Sequence, residues 1–193
     1  MQLLDLFKVS KLVEFRDGGI SLMKTPVNIM PTSVLCSFQH GLINAEGMGK
    51  AYEIMYEEVK KGSREYNEAF IKSQNFTEKH KIIDWQTKIV SLSGWGNIVV
   101  ALIDFDKNRF VTHFNNSTFA RAYKNAYGRQ KQAVDFIATG FVAGGLSAAA
   151  GRDLDAVETS CIARGDSTCE IEVGAPDVIA KTRKELWKKW GVA

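Results

Sequence analysis

The stretch Glu158-Thr159-Ser160-Cys161-Ile162-Ala163-Arg164-Gly165-Asp166-Ser167-Thr168-Cys169 decides how this chain is read. Two of its three cysteines lie here, on either side of the polar run Arg164-Gly165-Asp166-Ser167. Residues 154–162 before it and 170–173 after it have strand composition, so the stretch reads as a hairpin. A three-residue turn over Arg164-Gly165-Asp166 sets Cys161 and Cys169 opposite each other, with Cβ atoms about 5 Å apart. Both sulfurs then reach one zinc through bonds of about 2.3 Å. Glu158 precedes Cys161 by three residues, and a regular strand points the two to opposite faces. An inward Glu158 therefore requires a bulge near Thr159-Ser160. The residues alone leave two readings open: a metal site, or two buried unligated thiols.

Outward from the hairpin, the chain alternates strand pairs and helices. Asp17-Gly18-Gly19 between residues 11–15 and 20–24 is a hairpin signal, closed off by Pro26 and Pro31. Thr32 or Ser33 caps a helix toward Ile43, and the glycines at 41, 47 and 49 break it. Helices are expected over residues 48–61, stopped by Gly62-Ser63, then over 66–76 and 78–91. Residues 98–105 and 110–114 form a second hairpin about Asp106-Lys107-Asn108. Asn115-Asn116-Ser117 caps a helix over 118–127. Residues 130–150 read as a long small-residue helix, and Pro176 opens a last helix that ends at Gly191. Strands joined by tight turns pair antiparallel, so the fold class is α+β: an antiparallel sheet of hairpins packed with helices.

The 193 residues suffice for one domain, with an N-terminal part (1–93), a core (94–174) and a C-terminal helix (175–193). A net charge of +3 and the lack of a basic, aromatic-interleaved stripe argue against nucleic acid. The uncharged run 136–151 is short for a membrane span. No signal-peptide pattern opens the chain, and an odd number of cysteines suits a reducing compartment, so the expected location is cytoplasmic. No glycine-rich loop follows a strand, which argues against nucleotide chemistry. His40, His80 and His113 are isolated, no Ser/His/Asp or Cys/His set can be placed, and Cys36 reads as core filler.

The segment Gly140-Phe141, Gly144, Ser147, Gly151-Arg152, Glu158, Cys161, Gly165, Cys169 resembles the 4-vinyl-reductase domain family. Gly94-Trp95-Gly96 and Asn116-Ser117-Thr118-Phe119 resemble it less specifically. That family includes sensor domains of aromatic-responsive bacterial activators and stand-alone archaeal proteins. It is related in fold to trafficking-complex (TRAPP) subunits and to NO-signalling ligand-binding domains. The resemblance implies an apolar cavity and a homodimer. It also implies a structural zinc held by a cysteine at the start of the small-residue helix, by Glu-x-x-Cys and by a second cysteine. Carried onto this chain, the ligands are Asp135, Glu158, Cys161 and Cys169, with a carboxylate standing where the pattern has a thiolate.

Trp95, Phe114, Phe119, Phe136 and Phe141 are the candidate ligand-binding residues, and the resemblance implies, by motif spacing, that Phe114, two residues before Asn116-Ser117, stands where the aromatic sensors carry a ligand-contacting tryptophan. The glycine face Gly140, Gly144, Ser147, Gly151 reads as tight helix–sheet packing, a subunit interface or a pocket wall. Trp187 and Trp190 share a face of the last helix and are expected to pack on the body. The functional expectation is a stand-alone sensor or carrier of a small hydrophobic or aromatic molecule, signalling through a partner protein. The alternatives are a scaffold subunit with a filled cavity and a tetrapyrrole vinyl-reductase component. No nicotinamide or flavin fingerprint accompanies the last.

Overall fold

The computed structural model describes residues 13–22 and 25–192. The chain opening, the expected strand ends at 11–12 and 23–24, and residue 193 lie outside the described residues. The chain divides into two compact units, Met1–Pro31 and Thr32–Ala193.

In the first unit, β1 (Val13–Arg16), β2 (Gly19–Leu22) and β3 (Thr25–Val27) form an antiparallel sheet in that order. Asp17 and Gly18 both have positive φ, 50° and 77°, the primed turn that suits strand twist. Pro26 does not close the region as the sequence reading held. It sits in edge strand β3, where a missing N–H leaves no ladder bond unmade.

The second unit begins with α1 (Thr32–Glu46), α2 (Met48–Ser73) and α3 (Lys79–Leu92). The hairpin β4 (Ile98–Asp104) and β5 (Arg109–Phe114) follows, then α4 (Thr118–Tyr127) and α5 (Phe136–Ala150). Last come β6 (Asp155–Ser160), a 3-10 turn (Ile162–Arg164), β7 (Cys169–Gly174) and α6 (Pro176–Trp190). The four strands form one antiparallel sheet in the order β4-β5-β7-β6. The architecture is the expected α+β.

Three helix boundaries differ from expectation, each for a physical reason. Gly41 is absorbed within α1, and the break falls at Gly47, whose φ of 79° other residues rarely adopt. Gly62-Ser63 does not stop α2, which runs unbroken because tertiary contacts hold it. Ser63 donates to the Phe141 carbonyl at 2.8 Å, and Asn67 Oδ1 accepts from the Gln86 amide at 2.9 Å. The helix expected from residue 130 begins only at Phe136, because Asp135 is its N-cap.

The glycine face of α5 meets another helix rather than the sheet. A Cβ on Gly140 would lie 2.7 Å from the Tyr56 carbonyl oxygen. One on Gly144 would lie 2.7 Å from the Arg64 nitrogen, 2.8 Å from Ser63 Cβ and against the Lys60 carbonyl. Two backbones therefore approach as only glycine permits. Gly145, one position round, has room and turns to other neighbours described below.

Asp155 at the start of β6 ties three elements together. It accepts from Tyr56 (2.5 Å) and Lys60 (3.0 Å) of α2 and from Arg183 (3.2 Å) of α6. The Arg183 guanidinium lies over the Tyr52 and Tyr56 rings. Trp187 packs edge-on to Tyr52 at 5.0 Å, and Trp190 carries the Arg164 guanidinium on its face at 4.5 Å, so both tryptophans pack on the body as expected. Burial alone would raise the Asp155 carboxyl, but its hydrogen bonds and cationic partners outweigh this and hold it below the ordinary value. A depressed carboxyl adds stability above the unfolded pKa of about 4, and loses it as pH falls through the folded value. Asp155→Asn is expected to cost about 3 kcal/mol near neutral pH, because it leaves the mostly buried Arg183 without its carboxylate and Lys60 with only the exposed Asp153. Thermal unfolding of both proteins from pH 7 to pH 3 checks this, and the gap should narrow at the acid end.

Candidate functional site

The β6–β7 connection brings together three of the four expected metal-ligating side chains. The ladder pairs Glu158 with Ile171 and then Ser160 with Glu170, so Thr159 is an extra residue on β6. This is the bulge that the inward Glu158 requires. The connection itself differs from the three-residue turn expected. The ladder ends one residue short of the cysteines, and the chain folds through the 3-10 turn, with Gly165 at φ 101° closing it. Asp166 accepts the Cys161 N–H at 2.8 Å and fixes the start of that turn.

The result is a compact donor set. One donor atom each from Glu158, Cys161 and Cys169 lie within 4.8 Å of one another, all buried. The two sulfurs are 3.9 Å apart, and Cys169 Sγ also accepts the Ile162 N–H at 3.3 Å. Glu158 Oε2 accepts the Asp135 N–H at 2.9 Å, whereas Oε1 is buried without a hydrogen-bond partner among the described residues. Asp135 lies beside this set, but its carboxylate is engaged elsewhere. Oδ2 accepts the Ser117 hydroxyl at 2.6 Å, and Oδ1 accepts the Ala138 N–H at 3.4 Å.

The electrostatics are those of a site short of positive charge. Burial pushes the Glu158 carboxyl well above its ordinary value, and the neighbouring Cys161 and Asp135 add to this. Burial also pushes Asp135 up to about 6, against the Ser117 and Ala138 hydrogen bonds. Burial opposes ionisation of Cys161, but the Cys169 S–H and a Val134 backbone contact hold it below the ordinary thiol value. Cys169, which donates that S–H, is raised, and burial adds to it. A soft divalent cation relieves all of this at once, and two thiolates with one carboxylate oxygen are a donor set that zinc accepts.

A second feature lies on the other side of α5. A cavity of about 30 Å³ sits between α2, α3, α5 and the β4–β5 hairpin. Ile83, Val90, Ile98, Val142 and Leu146 give it apolar walls, and Phe141, Gly145, Asn67, Gln86 and Thr112 also line it. The Gln86 amide donates to Asn67 Oδ1 and to the Gly145 carbonyl, both at 2.9 Å. Thr112 Oγ1 is buried with no partner among the described residues.

Of the five candidate ligand-binding aromatics, Phe141 lines the cavity and Trp95 stacks near-parallel on it, with centroids 6.3 Å apart. Phe114 is buried opposite Cys169 in the β5–β7 ladder. Phe119 packs on Tyr123, and Phe136 meets Tyr52 edge-on. Asn67, Gln86 and Thr112 were not anticipated. Thr112 could have been: it alternates with Phe110 and Phe114 on β5, a polar residue on an inward-facing set. His113 points to the opposite face and meets Glu170 at 3.1 Å. His40 bonds Tyr123 at 3.0 Å and stacks on Tyr127, and His80 lies edge-on to Phe105.

No protein-family model and no curated protein matches the chain. The fold, however, is found among solved structures. The phenol-responsive sensory domain of the transcription activator PoxR, solved with phenol, superposes with a TM-score of 0.80 at 15% identity, over 94% of each chain. A vinyl-4-reductase family protein from Methanocaldococcus jannaschii has a TM-score of 0.51 at 15% identity, over 76% of this chain and 82% of that one. Trafficking protein particle complex subunit 3 from Naegleria fowleri, covalently bound to palmitic acid, has a TM-score of 0.51 at 12% identity. It covers 74% of this chain and 93% of that one. The fold is thus that of the sensor-domain and trafficking-subunit group. No helix among the described residues is long and apolar enough to cross a membrane.

Proposed function

We propose that the protein is a ligand-binding module, a sensor or carrier that takes a small hydrophobic or aromatic molecule bearing one polar atom. The observation that carries this reading is the apolar cavity with the unpartnered Thr112 hydroxyl in its wall. A buried polar atom left unsatisfied costs about 1–3 kcal/mol, and a ligand hydroxyl or carbonyl would remove that cost. The likeness to a domain described as phenol-responsive and solved with phenol supports the same ligand class.

The cavity is small. An engineered cavity of about 150 Å³ admits benzene, and this one measures about 30 Å³. Entry therefore requires the wall to move, and the half-exposed Trp95 stacked on Phe141 is the section we assign to that movement. The same small volume favours a second reading, in which the cavity stays closed and the module serves as an interaction subunit.

A zinc ion at Glu158, Cys161 and Cys169 completes the proposal. It would fasten the β6–β7 connection to the start of α5 through the Asp135 N–H on Glu158, and so keep α5, one wall of the cavity, in place. We take the working unit to be a cytoplasmic homodimer that signals through a partner protein. Exposed Val34 and Phe38, one turn apart on α1, form a surface that pairing would cover.

Thr112→Val tests the cavity. Removing the orphan hydroxyl is expected to stabilise the free protein by about 1 kcal/mol. It should also weaken phenol about tenfold, the worth of one hydrogen bond, while leaving toluene unchanged. Calorimetric titration with both ligands reads this out. Equal phenol affinity in the two proteins would show that phenol does not bond to Thr112 and overturn the assignment of its site, and no uptake of either ligand would leave the closed-cavity reading.

A further inference from the structure

The sequence pattern asks for four protein donors at the metal, and the structure assembles three. Asp135, in the fourth position, is committed by both oxygens and by its nitrogen. Its carboxylate accepts from Ser117 and caps α5 at Ala138, and its N–H donates to Glu158 Oε2. Turning the carboxylate to an ion would uncap α5 and leave the buried Ser117 O–H without its acceptor. Glu158 offers one oxygen only, because Oε2 is taken and Oε1 is the one without a partner. The sulfur separation of 3.9 Å is close to the edge of about 3.8 Å in a tetrahedron of 2.3 Å bonds. A Glu158 oxygen and the two sulfurs, all within 4.8 Å of one another, thus supply three donors and leave a four-coordinate ion one short.

We infer that this is a three-donor metal centre whose fourth position is filled from solvent, and that Asp135 is a positioning residue that acts through Glu158 without binding the ion. The inference rests on the metal reading above. The charge balance selects the chemical class of the fourth donor. A divalent ion with two thiolates and one carboxylate carries a net charge of −1, and an added anion would bury a second negative charge with few partners. The position therefore takes a neutral oxygen or nitrogen donor, water in the resting protein. With Glu158, Cys161 and Cys169 all buried, that water is an enclosed one held with the ion.

The test uses cobalt(II) as the probe metal in the full chain, with Asp135→Asn, which removes the charge, keeps one oxygen for the cap on Ala138 and turns an NH2 donor toward Ser117 Oγ. We expect one cobalt per chain in both proteins, with affinities within about threefold. The change is small because the variant keeps the Asp135 N–H that holds Glu158, the contact through which it acts, whereas a lost ligand typically costs 10–100-fold. We also expect the cobalt EPR lines of both proteins to broaden equally in water enriched in oxygen-17. A large loss of affinity in the variant, or broadening that appears only in the variant, would make Asp135 the fourth ligand and overturn the inference. Uptake without broadening in either protein would overturn the open position while sparing the metal reading. No uptake by the wild-type chain would overturn both.

Discussion

If Glu158, Cys161 and Cys169 hold the proposed zinc, withdrawing it is expected to lower the melting temperature by about 8–16 °C. The magnitude follows from linkage. An ion present at a thousand times its dissociation constant adds about 4 kcal/mol, and in a chain of this size each kcal/mol moves the midpoint by roughly 2–4 °C. The physical source is the charge imbalance of the site. Without the ion, a carboxyl pushed well above its ordinary value and two buried thiols share a space in which Oε1 has no partner. The turn from Cys161 to Cys169 then keeps its own hydrogen bonds and those to Arg129, Gln130 and Phe114 at its surface. Cys161→Ser is expected to reproduce the loss and to be indifferent to chelator. Calorimetry with and without chelator, together with metal content by native mass spectrometry, checks both. A wild-type midpoint unmoved by chelator, in protein that carries no metal, would leave two buried cysteines.

Enlarging Gly144 is expected to be the most damaging single change in the helical layer. Alanine there gains about 1 kcal/mol of helix propensity. Its Cβ, however, would meet the Lys60 carbonyl, the Arg64 nitrogen and Ser63 Cβ, two of them backbone atoms that cannot swing aside. Overpacking of this kind costs about 1–3 kcal/mol for small insertions and sometimes more. We expect Gly144→Ala to destabilise by roughly 2 kcal/mol net, and Gly144→Val to prevent folding by forcing α2 and α5 apart. Gly62 provides the opposite sign in the same helix pair. Nothing lies within 4 Å of a Cβ there, and α2 passes through it without a break. Gly62→Ala should therefore stabilise by about 0.5–1 kcal/mol. Denaturant unfolding of the three variants decides the matter, and similar effects at Gly62 and Gly144 would contradict the packing argument.

Much of this fold was legible because local chemistry and tertiary structure agree. The hairpin at Asp17-Gly18, the cap at Ser117 and the Pro176 start of α6 all stand where turn and cap residues place them. The bulge was legible for a different reason: only an irregular strand can turn both Glu158 and Cys161 toward one point, and Thr159 supplies the irregularity. What was not legible depends on partners distant in sequence. Gly62-Ser63 looks like a stop until the Phe141 carbonyl, 78 positions away from Ser63, is seen to hold it. Asp135 looks like a ligand by its place in the pattern, yet Ser117 and Ala138 engage its carboxylate. The cavity was the hardest to foresee. Its apolar walls resemble any core, and its polar residues Asn67, Gln86, Thr87 and Thr112 come from three separate elements.

The reading as a whole stands on that cavity accepting a ligand. The most direct test is methyl NMR of the full chain during titration with phenol. Saturable shifts are expected for the methyl groups of Ile83, Val142 and Leu146, which line the cavity, while Val13 and Leu22 in the N-terminal sheet stay still. No shift up to millimolar phenol, or saturable shifts confined to residues away from the cavity, would contradict the account.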